Sequence, residues 1–115
     1  MTSDEFRRMA LSHPDVIEGG HLGHADFRVG GKIFATLGYP SEEFAVVMLS
    51  PQDQDCITRD HPTTFAPVKG KWGTSGRTAV ELRRASKQAV AVALEAAWRK
   101  RAPKQVLIEL DHPGR

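Results

Sequence analysis

The sequence predicts an α+β fold in which an antiparallel sheet carries the N- and C-terminal helices on one face. Three observations predict it. The pair Gly30-Gly31 separates two runs of alternating residues, which indicates a hairpin because glycine readily takes the positive φ of tight turns. Residues 44–49 are continuously apolar, as is typical of a central strand buried on both faces. A helix start at Thr2 and the longest helical pattern, over residues 86–101, lie at opposite ends of the chain. Helices on either side of a run of strands are typical of an α+β fold in which they cover one sheet face.

Composition is that of one ordinary globular domain. The chain has 115 residues, of which 40% are hydrophobic and 26% charged, and its net charge of +2 is only mildly basic. No apolar run approaches the roughly 20 residues that a membrane span needs, and the polar, acidic start is unlike a signal peptide. The single cysteine, Cys56, excludes an internal disulfide and favours a reducing, cytoplasmic setting.

The first helix is predicted over residues 2–12. Thr2 and Glu5 have the spacing of a capping box, in which each side chain bonds the other residue's backbone N–H. The pair His13-Pro14 ends the helix, because the residue before proline avoids the α region. The apolar stripe consists of Phe6, Met9 and Ala10.

Short strands follow. Residues 16–21 form a first strand, which Gly19-Gly20 weakens. In the central hairpin, Phe27 and Val29 alternate with Arg28. After the turn, one face is expected to carry Ile33, Ala35 and Leu37, and the other Lys32, Phe34 and Thr36.

The second half of the chain begins with a helix over residues 51–59. Ser50 is its N-cap and Pro51 its first residue, and Cys56 and Ile57 are expected to point inward. Residues 65–68 form a brief edge strand, because Pro67 cannot donate to a ladder. Residues 69–77 form a glycine-rich, basic turn region, and residues 78–83 form the last strand. That strand places on one face Thr78, Val80 and Leu82.

The longest helix is predicted over residues 86–101 and ends before Pro103. Its basic last turn suits the negative end of the helix dipole. Residues 106–110 form one more helical turn, and residues 111–115 form a loose tail. The broad apolar face consists of Ala89, Val90, Ala93, Leu94, Ala97 and Trp98.

Several of these segments together resemble the MmcQ/YjbR family of small bacterial proteins. The matching residues are Phe27-Arg28-Val29, Gly31-Lys32-Ile33-Phe34-Ala35, the pair His61-Pro62 before Phe65, Lys71-Trp72-Gly73 before Thr78-x-Val80-x-Leu82, and a long helix with Ala97-Trp98 that ends at Ala102-Pro103-Lys104. The resemblance implies a CyaY-like (frataxin-like) fold with a curved antiparallel sheet packed against two terminal helices. It also implies a DNA-binding function, attributed to the shape of the sheet and its wings, and no catalytic residues.

A basic surface is the first candidate site. Phosphate contacts from about six cations would give salt-dependent, sequence-tolerant DNA binding. Trp72 could stack on an unpaired base or wedge a groove; the alternative is a solvated face with Trp72 buried under the sheet. We expect neither metal nor cofactor. The predicted DNA-binding residues are Arg28, Lys32, Lys69, Lys71, Trp72, Arg77, Arg83, Arg84 and Lys87.

Other functions stay open. The low net charge, with Phe65 and Trp72 near predicted turns, is compatible with a non-enzymatic protein-interaction or regulatory module. An enzyme or small-ligand binder, with a cleft between the sheet and the helix that starts at Ser50, ranks lowest, because no nucleophile–base pair and no P-loop spacing is visible. We therefore expect no catalytic activity.

Three further motifs suggest a function, but a structural role explains each of them more simply. His21-x-x-His24 with Asp26 could bind a divalent metal, but the spacing fits polar turn residues better. Cys56 could be a nucleophile, but a buried apolar role is expected. A frataxin-like role in iron delivery is not expected, because it would use an acidic first helix. Here that helix has only two acidic residues, Asp4 and Glu5, whose charge is balanced by Arg7 and Arg8.

Overall fold

The computed structural model describes residues 1–21 and 23–111; the rest of the predicted tail, 112–115, lies outside the described residues. The elements are α1 (Ser3–Leu11), β1 (Val16–His21), β2 (His24–Val29), β3 (Lys32–Leu37), β4 (Phe44–Met48), α2 (Pro51–Asp60), β5 (Phe65–Pro67), α3 (Lys71–Thr74), β6 (Arg77–Glu81), α4 (Lys87–Arg101) and α5 (Lys104–Asp111). A 3-10 turn, Leu82–Arg84, joins β6 to α4. The strands form one antiparallel sheet in the order β1-β2-β3-β4-β6-β5.

The predicted α+β architecture is confirmed. The helices α1 and α4 pack on one sheet face, where Phe6, Leu94 and Trp98 are almost completely buried. The Thr2–Glu5 capping box is present, and the indole Nε1 of Trp98 donates to the Pro14 carbonyl at 3.0 Å. No helix in the described part of the chain is long and apolar enough to cross a membrane.

The central hairpin is confirmed, with one correction. Gly30 and Gly31 form its turn at φ of 59° and 79°, in the left-handed region that glycine favours. Phe27 pairs with Ala35 but Arg28 pairs with Ile33, so Phe34 is an extra, bulged residue. The bulge sends Phe34 into the core and leaves Ile33 on the opposite face. The predicted faces of these two residues are therefore wrong.

The sheet centre and edge also agree with expectation. Strand β4 lies between β3 and β6, and its residues from Ala45 to Met48 are buried. Strand β5, which contains Pro67, is an edge strand because only β6 pairs with it. Strand β6 begins one residue earlier than predicted and ends at Glu81, where the 3-10 turn begins.

Two predicted segments and one side chain differ. The turn region 69–77 contains the short helix α3, and α5 is longer than one turn. The prediction that Cys56 points inward as a buried residue is wrong, because its side chain is exposed. The buried residues of α2 are instead Gln54 and Ile57. Two residues correspond to about 200° around an α-helix, so the side chains of Gln54 and Cys56 lie on nearly opposite faces.

Candidate nucleic-acid interface

The sheet face opposite α1 and α4 is the open face, and a row of small side chains crosses it. Asp26 pairs with Thr36, Thr36 with Val46, and Val46 with Ala79. Directly paired residues point to the same face of an antiparallel sheet, so these four side chains lie side by side. Gly19, the partner of Asp26 in β1, extends the row. The row therefore consists of small side chains, and the Arg28 guanidinium lies over its Asp26 end.

A cavity of about 630 Å³ occupies this face and is called here the open-face cavity. Its floor includes Val46 and Met48, which are apolar and little exposed. Two exposed aromatic residues, Tyr39 and Trp72, also line it. The cations that line the cavity are Arg28, Lys32, Arg77 and Arg101.

Trp72 is the most accessible aromatic residue on this face. Its side chain is 62% exposed, so the alternative in which it is buried under the sheet is wrong. The guanidinium carbon of Arg77 lies 4.5 Å from the ring centroid, a cation–π contact. Helix α3 holds Trp72 at the rim because Gly73 packs so tightly that a Cβ there would lie 1.7 Å from the Val68 carbonyl oxygen.

Arg28 is neutralised within the cavity wall. Its Nε and Nη2 donate to the two carboxylate oxygens of Asp26 at 2.9 and 3.2 Å. These hydrogen bonds, and then the charge of Asp26, raise the pKa of Arg28. A Cβ on Gly19 would lie 2.8 Å from the Asp26 Oδ1, so glycine leaves room for this pair. Arg28 therefore adds less positive potential to the cavity than its charge suggests.

Positive charge accumulates instead where the end of α4 meets β6. Arg77, Lys100 and Arg101 form what we call the cation cluster. The Lys100 ammonium donates to the Leu49 carbonyl at 2.9 Å. Its pKa is lowered first by burial and then by the charges of Arg101 and Arg77, and the charge of Asp53 opposes part of this lowering. No described carboxylate lies within ion-pair distance of any cluster member. The sequence signal for the cluster is the basic last turn of α4, which also suits the negative end of the helix dipole.

Similarity to known proteins shows to which family the chain belongs. The family model named YjbR matches residues 11–100. The chain belongs to the YjbR family. A crystal structure of the Deinococcus radiodurans protein DR2400, with the family-model domain DUF419, is similar at a TM-score of 0.74 and 18% identity, over 97% of this chain and 89% of that chain. Likeness at this identity concerns the fold alone. No curated protein matches the chain.

In this YjbR chain the nine predicted DNA-binding residues fall into two groups. Four of them, Arg28, Lys32, Trp72 and Arg77, line the open-face cavity. Lys69 and Lys71 are exposed on either side of Gly70, immediately before Trp72. Neither lysine, nor Lys32, has a carboxylate partner in the described ranges 1–21 and 23–111.

The second group lies around the junction of β6 and α4 and faces acidic partners. Arg83 lies 3.9 Å from Glu43 and Arg84 lies 3.3 Å from Glu81. Lys87 lies 3.2 Å from Glu5 of α1. None of the three lines the open-face cavity. Each carboxylate offsets part of the attraction that the neighbouring cation would exert on a phosphate.

The remaining motifs acquire no ligand-binding arrangement in the described residues. His24 lines the open-face cavity and Asp26 is held by Arg28, whereas the side chain of His21 lies outside what the structure describes. The described residues contain no group of three potential metal ligands. Cys56 lines a groove of about 480 Å³ between α2 and α4, together with His61. Phe65 is buried, so it offers no surface to a partner.

Proposed function

We propose that this YjbR protein is a non-enzymatic, cytoplasmic DNA-binding protein that contacts DNA of varied sequence through the open face. The observation that carries the proposal is an exposed tryptophan, in contact with Arg77, at the rim of a cavity lined with cations. Lysines that lack carboxylate partners attract phosphates without reading bases, which accounts for sequence tolerance. The DNA-binding role that the family resemblance implies agrees with this assignment.

The proposed contact set is narrower than the nine residues predicted from sequence. It comprises Lys32, Lys69, Lys71, Trp72 and Arg77, supported by Arg101. Arg28 is left out because Asp26 neutralises it. Arg83, Arg84 and Lys87 are left out because each faces a glutamate away from the cavity.

Fluorescence anisotropy with a labelled duplex and with one of its separated strands tests the proposal. The protein is titrated into the labelled duplex and into the labelled single strand, at about 50 mM and about 200 mM salt. Both titrations are repeated with DNA of a second, unrelated sequence. With about four phosphate contacts, the affinity for duplex should fall roughly 100-fold between these salt concentrations and should depend little on sequence. Absence of binding to both forms at the lower salt concentration would contradict the proposal.

Charge reversals locate the surface. The double variant Lys32→Glu with Lys71→Glu should weaken binding at least about 10-fold and reduce the salt slope by about two. The matched control, Arg83→Glu with Arg84→Glu, changes the net charge equally but should retain the salt slope. An equal loss in both variants would indicate a response to net charge alone and would remove the open face as the contact surface.

The alternative function, a protein-interaction or regulatory module, stays a prediction. Trp72 is compatible with it because an exposed aromatic also suits a protein partner. The two functions differ in salt dependence: added salt weakens phosphate contacts but leaves apolar association largely intact. Light scattering of the protein alone at both salt concentrations would report self-association.

A further inference from the structure

The open-face cavity contains features that a duplex would not use. Tyr39 and Trp72, the exposed aromatic residues of the described chain, both line it, with exposed fractions of 49% and 62%. Stacked bases inside a duplex do not offer their flat faces to a protein, whereas unpaired bases do. Two accessible rings beside one cavity therefore favour a ligand that carries a free planar ring.

The size of the cavity suits a ligand of one or two ring systems. Its volume of about 630 Å³ lies within the range of roughly 300–1,000 Å³ that small-molecule sites occupy. A double helix is too wide to enter a recess of this kind, but a single nucleotide is not.

The cation cluster lies beside Trp72, because the Arg77 guanidinium carbon is 4.5 Å from the Trp72 ring centroid and Arg101 lines the same cavity. Among the described residues, the Arg101 side chain has no hydrogen-bond partner, and the Arg77 side chain uses only Nη1, which donates to the Ser75 Oγ at 3.2 Å. The Nε atoms of both arginines are buried and unpaired. Each guanidinium has five donors, so most of this capacity is unused. A phosphate oxygen is the kind of acceptor that such a cluster recognises.

We propose that the open-face cavity binds one nucleoside monophosphate unit, with its unpaired base against Trp72 and its phosphate at Arg77 and Arg101. The unit is either an unpaired residue of a DNA strand or a free nucleotide, since both carry a ring and a phosphate. For the strand, the inference rests on the proposed function and makes it more specific: single-stranded DNA is preferred over duplex.

The test compares a thymidine oligonucleotide, a duplex of the same length and thymidine 5′-monophosphate. We expect the single strand to bind about 10-fold tighter than the duplex, as one stacked base allows. Trp72→Ala should weaken single-strand binding roughly 10-fold and duplex binding by no more than about 2-fold, and Trp72→Phe should restore most of the loss. Tyr39→Ala, at the exposed ring on the far side of the cavity, is the matched control and should change single-strand binding by no more than about 2-fold.

Tryptophan fluorescence gives a direct readout. The chain has two tryptophans, of which Trp98 is 1% exposed. Stacking of a base should quench Trp72, and the Trp72→Phe protein, which keeps only Trp98, should show no quenching on addition of either the strand or the free nucleotide. Quenching that persists in Trp72→Phe would overturn the assignment of the base to Trp72.

The outcomes separate this inference from the proposed function. Equal affinity for strand and duplex, or an equal loss for both in Trp72→Ala, overturns the inference; the proposed function stands if the Lys32→Glu, Lys71→Glu protein still loses affinity. Quenching of Trp72 by the free nucleotide without DNA binding supports the inference and removes the proposed function. Absence of binding by all three ligands overturns both.

Discussion

Gly30 lies directly against Pro103: a Cβ built on this glycine would be 2.4 Å from the proline Cγ. The contact joins the β2–β3 turn to the linker between α4 and α5, so the central hairpin packs against the C-terminal part of the chain. At this turn, glycine is needed both for its positive φ and for close packing. The adjacent glycine, Gly31, also has a positive φ but faces open space.

This pair of glycines gives a matched prediction. Gly31→Ala should cost about 1 kcal/mol of unfolding free energy, from backbone strain alone. Gly30→Ala should cost about 1–3 kcal/mol more, because the rigid proline ring cannot move aside freely. Urea denaturation measures both. In the double variant Gly30→Ala, Pro103→Ala, part of the additional loss of stability should be recovered. Equal destabilisation by Gly30→Ala and Gly31→Ala would contradict the contact between Gly30 and Pro103.

Gln54 gives the second prediction. Its buried amide Nε2 donates to the carbonyls of Gly73 and Arg77 at 2.8 and 3.1 Å and to the Thr78 Oγ1 at 3.2 Å. One side chain thus ties α2 to α3 and to β6. Gln54→Leu should destabilise the protein by about 1–3 kcal/mol, because the hydrogen bonds that join α2 to α3 and β6 are lost and the Thr78 Oγ1 loses its donor. In the exposed control Gln52→Leu, the denaturation midpoint should hardly move.

Local signals explain why much of the fold could be predicted from the sequence. The Thr2–Glu5 capping box and the Gly30-Gly31 turn depend on residues within one turn of chain, and both are present. The position of Phe34 could not be predicted in this way, because a bulge depends on the register with the neighbouring strand. The exposure of Cys56 likewise depends on which face of α2 meets the sheet.

The candidate site was predictable only in part, for a similar reason. Sequence identified the cations but not the carboxylates that tertiary structure brings to them, such as Glu5 beside Lys87. Nor could it show that Arg101, at the end of a helix packed on the other face, lines the open-face cavity. Composition gives the number of charges, whereas the fold decides which of them remain available to a ligand.

Gly73 gives the third prediction, which concerns the placement of Trp72. A Cβ at this position would collide with the Val68 backbone, so Gly73→Ala must displace α3. We expect a loss of about 1–3 kcal/mol in unfolding free energy and a weakened affinity for any ligand that contacts Trp72. Gly20→Ala in β1 is the control, since a Cβ there meets only the His24 carbonyl oxygen, at an ordinary 3.6 Å. An equal ligand affinity in the two variants would show that α3 does not position Trp72.

The fourth prediction concerns acid stability and Glu5. The backbone N–H of Thr2 donates to the Glu5 carboxylate at 2.9 Å, and the Lys87 ammonium lies 3.2 Å away. The hydrogen bond to Thr2, and then the contact with Lys87, lower the pKa of Glu5 from 4.5 to about 2. Since the folded state favours the ionised form, this stabilisation is complete above pH about 4.5 and is lost as the pH falls towards about 2.

Thermal denaturation of the wild-type protein and of Glu5→Gln across this pH window measures the effect. The variant should be less stable at neutral pH, and its deficit should shrink as the pH falls from about 4.5 to about 2. Lys87→Met, which removes one of the two main causes, should raise the pKa of Glu5 and move the loss of stability to higher pH. Glu42→Gln removes an exposed carboxylate that has no ion-pair partner among the described residues, and it serves as the charge control. A deficit in Glu5→Gln that stays constant with pH would show that the capping carboxylate does not titrate in this window.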